Sequence, residues 1–130
     1  MNNENMNMEF GEYFRELRKE KKLTQAQIAA HIGKSKMLVS GVETGKNGAF
    51  LDEDIEKISN LMELTDKEKQ KLFYEASKAR ERLPAYLSSY MHRHGEVYDL
   101  LEIMVKEEMS TDTLKKIKSY AEGLASVKNN

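Results

Sequence analysis

A chain of 130 residues, 39% hydrophobic and 33% charged, is long enough for a cored domain with an extension. It holds no cysteine, which excludes disulfides and thiolate metal sites, and no apolar run approaches the ~20 residues of a membrane span. The formal net charge of −1 argues against a globally basic nucleic-acid binder, yet residues 10–50 carry eight Lys/Arg against four Glu. That local +4 attracts phosphates, while the remainder, at about −5, keeps the chain soluble.

Residues 1–9 are polar and rich in Asn and Met, without the basic-then-apolar order of a signal peptide. They read as a disordered tail, and the absences together point to the cytoplasm. From Phe10 to about Lys21 the 3.6-residue period returns, with Phe10, Phe14 and Leu17 on one face. Thr24 with Gln27 three residues later makes a capping-box signature for a short second helix carrying Ile28, Ala29 and Ile32. Gly33 suits a left-handed end to that helix. Ser35 then caps a third helix that buries Val39 and Val42 and ends near Thr44-Gly45. Asp52 is expected to cap a fourth helix (Ile55, Ile58, Leu61, Met62), and Thr65-Asp66 to start a fifth (Leu72, Phe73, Ala76).

Leu83-Pro84 marks a stop and restart, and Pro84 is the one proline of the chain. Beyond it Tyr86, Leu87, Tyr90 and Met91 precede a break at Gly95. A helix over 96–108 then aligns Val97, Leu100, Leu101, Met104 and Val105. A last helix, capped by Ser110 or Thr111, carries Leu114, Ile117, Ala121 and Leu124. The fold class is therefore all-α. Residues 10–82 form a five-helix domain, and residues 83–130 form a two- to three-helix C-terminal dimerisation or interaction region.

The second and third helices, joined by a glycine turn, form a helix-turn-helix pair. Ala29 sits where they approach, the residues at 28, 32, 39 and 42 lock them together, and one face of the third helix is left polar and free for a DNA major groove. The combination of Phe14-Arg15-Glu16-Leu17-Arg18, Leu23-Thr24-Gln25, Ile28-Ala29, Ile32-Gly33, Ser35, Val39-Ser40 and Val42-Glu43-Thr44-Gly45-Lys46 resembles the Xre/Cro family of phage-repressor-type regulators, from about Phe10 to Leu64. The resemblance implies a lambda-repressor-like DNA-binding domain. Gln25 matches the family's phosphate contact at a helix N-terminus, where free N–H groups and the dipole favour an anion. Thr44 and Lys46 match backbone contacts across the groove. Lys36, Met37, Ser40 and Gly41 match the outward face of the recognition helix, with Lys36 suited to a guanine edge and Met37 to a thymine methyl. Ser35 is expected to cap its helix and bind phosphate. Arg18 and Glu43 match a structural ion pair that fixes geometry.

Two positions depart from the family pattern. Lys34 replaces an aliphatic residue, so its head must reach outward, towards DNA. Gly41 replaces a side chain that often reads bases, at a helix-propensity cost of roughly 1 kcal/mol. The His92-Arg93-His94 run is no metal site, because i and i+2 do not share a helix face and no third ligand clusters with them. No phosphate-binding glycine loop, nucleophile–base pair or carboxylate dyad stands out, so no enzyme, cofactor or metal is expected.

A helix-turn-helix monomer covers only a half-site, whereas a two-fold dimer reads a pseudo-palindrome. Leu100, Leu101, Met104, Leu114, Ile117 and Leu124 are the expected dimerisation residues. The alternative is that these stripes pack within one chain. The function implied is sequence-specific, double-stranded DNA-binding transcriptional regulation by a dimeric repressor of a phage, mobile element or small operon. The competing reading is an antitoxin or anti-CRISPR-type inhibitor, which binds a second protein through the C-terminal helices and keeps the helix-turn-helix for autoregulation.

Overall fold

The computed structural model describes residues 3–128, with side-chain surroundings for residues 5–127. Every regular element among them is an α-helix. The helices are α1 (Asn3–Glu20), α2 (Gln25–Ile32), α3 (Lys36–Thr44), α4 (Asp52–Met62), α5 (Asp66–Arg80), α6 (Ala85–Arg93), α7 (Gly95–Lys106) and α8 (Thr111–Lys128). The chain divides into two units, Met1–Ser88 and Ser89–Asn130.

The first unit holds the core. Phe10, Phe14, Ile28, Val39, Ile55, Ile58 and Leu72 are fully buried, drawn from each of α1 to α5. The Phe50 ring packs edge-on against both Phe14 and Phe10, 4.8 and 5.9 Å away between centroids. α1 lies across α3 and α5, while α2 packs on α3 and α4. The crossing of α1 over α3 is unusually close at Gly11. A β-carbon there would come 2.6 Å from the Glu43 carbonyl oxygen and nearer still to that of Val42. Glycine is required at that point because backbone meets backbone.

Helix ends follow the local chemistry. Thr24 Oγ1 accepts from Gln27 N–H and Gln27 Oε1 accepts from Thr24 N–H, a complete capping box on α2. Gly33 closes α2 in the left-handed region at φ 69°. Thr65 and Glu68 form a second capping box on α5.

Three expectations are corrected. The segment read as a disordered tail is instead the start of α1, which begins at Asn3; Met1 and Asn2 lie outside the described residues. Contacts remote in sequence hold it: Met8 lies against Gly45, and Glu9 pairs with Lys78 at 3.4 Å. Asp52 does not cap α4. The cap residue is Leu51, which offers no side-chain acceptor, and Asp52 is the first helical residue. Its carboxylate accepts instead from Arg80 Nη2 at 3.0 Å and from Ala85 N–H at 2.9 Å. The boundary expected after residue 82 falls after Ser88, because Pro84 is buried and the Tyr86 ring stands edge-on to Phe73 at 5.4 Å.

The second unit is built differently. None of residues 89–127 is buried, and α7 and α8 do not pack on each other as helices of a bundle do. Tyr98, Leu100, Leu101, Ile103, Leu114 and Leu124 are exposed, while Met104 and Ile117 are half-covered. Within this unit the stripes are therefore left largely exposed.

Candidate nucleic-acid interface

Ser35 caps α3 by accepting from Leu38 N–H at 3.1 Å, so the first N–H groups of α3, at Lys36 and Met37, face outward without intrahelical partners. The side chains of Lys36 and Met37 project from this first turn, and Met37 is 83% exposed. It belongs to no core. Ser40 and Gly41 are half-covered one turn on. Thr44 donates its hydroxyl to the Gly41 carbonyl at 3.2 Å, and Lys46 follows Gly45, which turns the chain at φ 81°.

Six of the residues singled out in the sequence come together here. Ser35, Met37, Ser40, Gly41, Thr44 and Lys46, with Leu38 and Asn47, line one open groove of about 540 Å³. Lys36 lies between Ser35 and Met37 in the same turn, is exposed and does not line the groove. Lys34 is exposed and borders a neighbouring depression with Leu38 and Asn47. Gln25 stands apart, at the N-terminus of α2.

A polar cluster ties Gln25 to the rest. Arg18 Nε donates to Glu43 Oε2 at 2.6 Å, and Arg18 Nη2 donates to Glu43 Oε1 at 3.0 Å. Gln25 Nε2 donates to the same Oε1 at 3.0 Å, and Arg18 Nη1 donates to the Leu23 carbonyl at 2.9 Å. The Glu43 side chain is only 3% exposed. One carboxylate at the end of α3 thus links α1 to the first residue of α2, and Arg18 extends the cluster to the turn before α2. A bidentate guanidinium pair of this kind fixes orientation as well as adding energy. Gln25 keeps one amide N–H and its carbonyl for a further contact.

Two groups here escaped the sequence reading. Asn47 follows the αL glycine in what reads as an ordinary polar loop, and its partners on α3 are nine and six residues away. Gly11 reads as a mere interruption of an amphipathic helix. A signal existed for Gly11, since a glycine inside a helix costs about 1 kcal/mol against alanine and so asks for a packing reason.

Comparison with known proteins agrees with this geometry. A helix-turn-helix domain family matches residues 9–72. The chain is also 31% identical, over 111 residues, to the HTH-type transcriptional repressor RghR of Bacillus subtilis (strain 168). That alignment covers 82% of this chain and 80% of that protein. The chain belongs to the helix-turn-helix transcriptional regulators. It is all-helical among the described residues and is a DNA-binding regulator, and the matched span takes in both α2 and α3. The match extends beyond the motif into the second unit, since 111 aligned residues exceed the 88 of the first unit.

Proposed function

We propose that this regulator is a repressor that binds a pseudo-palindromic duplex as a homodimer, with α3 of each copy in the major groove. The observation that carries the reading is the division of surfaces. The groove beside α3 presents Ser35, Ser40, Thr44, Lys46 and Asn47 alongside Met37 and Leu38, while most apolar residues of the second unit's stripes are exposed. Lys36, Met37 and Ser40 face base edges in this reading. Gln25, Ser35, Thr44 and Lys46 hold phosphates on either side, and Lys34 adds charge. Gly41 offers no side chain. Leu100, Leu101, Met104, Leu114, Ile117 and Leu124 pair with a second copy, which sets the spacing of the half-sites. No helix among the described residues is long and apolar enough to cross a membrane, and the chain acts in the cytoplasm, where its DNA is. Repression follows by occlusion of a promoter; the repressor RghR lends that sign of regulation its support.

The test is a gel-shift titration of the full chain on DNA from upstream of its own gene, at two salt concentrations. Binding that weakens as salt rises is expected. Gln25→Ala lowers affinity for all duplexes, and Lys36→Ala flattens the preference among them. Binding to no duplex at either salt concentration would remove the reading. Sedimentation of a monomer at micromolar concentration would remove its dimeric part, and a stable complex with a different protein through the second unit would favour the inhibitor reading instead.

A further inference from the structure

Gly41 leaves a gap on the outward face of α3, and the gap is filled from outside the helix. A β-carbon at position 41 would collide with the Asn47 side chain, lying 2.7 Å from its Cγ and 3.2 Å from its Oδ1. Asn47 is held there twice. Its backbone N–H donates to the Gly41 carbonyl at 3.0 Å, and its side-chain Nδ2 donates to the Leu38 carbonyl at 3.3 Å. Oδ1 accepts no hydrogen bond among the described residues, and the second N–H of the amide is also unengaged. The residue is exposed and faces the groove beside α3.

We infer that Asn47 is a specificity-determining residue, whose amide stands in for the side chain that Gly41 lacks and reads an adenine. The chemistry is that of an amide against the adenine major-groove edge. Oδ1 accepts from N6–H while the free Nδ2–H donates to N7. The bond to Leu38 uses one of the two Nδ2 hydrogens, which leaves Oδ1 and a second N–H for a base edge. Anchoring the amide before DNA arrives removes the ordering cost that a free loop side chain would carry. This assignment rests on α3 lying in the major groove.

The experiment selects a preferred duplex in vitro with the full-length chain and measures Kd on its single-base-pair variants. Asn47→Ala is expected to lose roughly tenfold discrimination at one A·T pair in each half-site. Its Tm and its affinity for non-specific duplex should stay near those of the parent. Gly41→Ala strengthens the helix but displaces the amide, so it should lose discrimination at the same pair. The double variant should do no worse there than Asn47→Ala alone, an epistasis that a purely structural role would not produce. Should Asn47→Ala fail to fold, Gly41→Ala decides the matter. Uniform weakening on all duplexes, or no change at any pair, overturns the assignment. If Lys36→Ala still flattens a different pair in that case, α3 remains the reading helix and only Asn47 is excluded. A parent chain with no base preference anywhere overturns both.

Discussion

The residue whose loss should cost most is Glu43. It is buried, accepts from Arg18 twice and from Gln25 once, and has no water-exposed alternative. Its removal strands a nearly buried guanidinium. Glu43→Ala should therefore destabilise by about 3–5 kcal/mol, read as a large drop in thermal midpoint. Replacing Arg18 and Glu43 together by apolar residues of similar volume should restore much of that stability. DNA affinity should not recover with it, since Gln25 would lose the acceptor that orients it. A double variant as unstable as Glu43→Ala would show that the energy lies elsewhere. The sequence made the Arg18–Glu43 pair visible through its family resemblance. It gave no sign of Gln25 joining them, because a glutamine at a helix start reads as a capping or phosphate residue on its own.

Among the elements, those with local causes were legible. Thr24, Gln27 and Gly33 decide the ends of α2 by contacts within three or four residues, and such chemistry is written in the sequence itself. The start of α1 and the role of Asp52 were not legible, because Met8, Glu9 and Arg80 act across 28 or more residues. The capping box on α5 carries a pH consequence. The Thr65 N–H that donates to Glu68, and after it the nearby Lys21 ammonium, hold the Glu68 carboxyl below its ordinary value of 4.5. A depressed carboxyl contributes stability that is full above its unfolded value and is lost as pH falls through the folded one. Denaturant midpoints should thus decline below about pH 4.5, and Glu68→Gln, which keeps an acceptor for Thr65 N–H, should shallow that decline. An unchanged acid limb in Glu68→Gln would assign the decline to other carboxylates.

At the scale of the whole molecule the two units differ in what holds them. The buried cluster of the first unit runs from Phe10 to Ala76 and draws on nothing beyond Ser88. A chain ending at residue 88 should fold as a monomer with cooperative unfolding by circular dichroism. If the full chain is the proposed homodimer, the truncated chain should bind a palindromic duplex at least about a hundredfold more weakly, because the linkage between half-sites would be gone. Undiminished affinity would mean that the second unit contributes nothing to DNA binding. The hydrophobic period located α7 and α8 in the sequence, but period alone cannot say whether a stripe meets its own chain or another. Burial shows only which side chains of the unit are left exposed, and sedimentation of the full chain decides what covers them.

The contact at Gly11 bears on how such a protein changes over generations. Where α1 crosses α3 beside Val42 and Glu43, carbonyl oxygens meet a residue with no side chain. Nothing at that crossing can be repacked, so the pose of α3 does not drift when its outward residues are exchanged. On the proposed reading, replacements at 36, 37, 40 or 47 would therefore alter the letters being read and leave the depth and angle of reading alone. A lineage carrying this glycine would then be able to move from one operator to another by single steps, each starting from an intact fold.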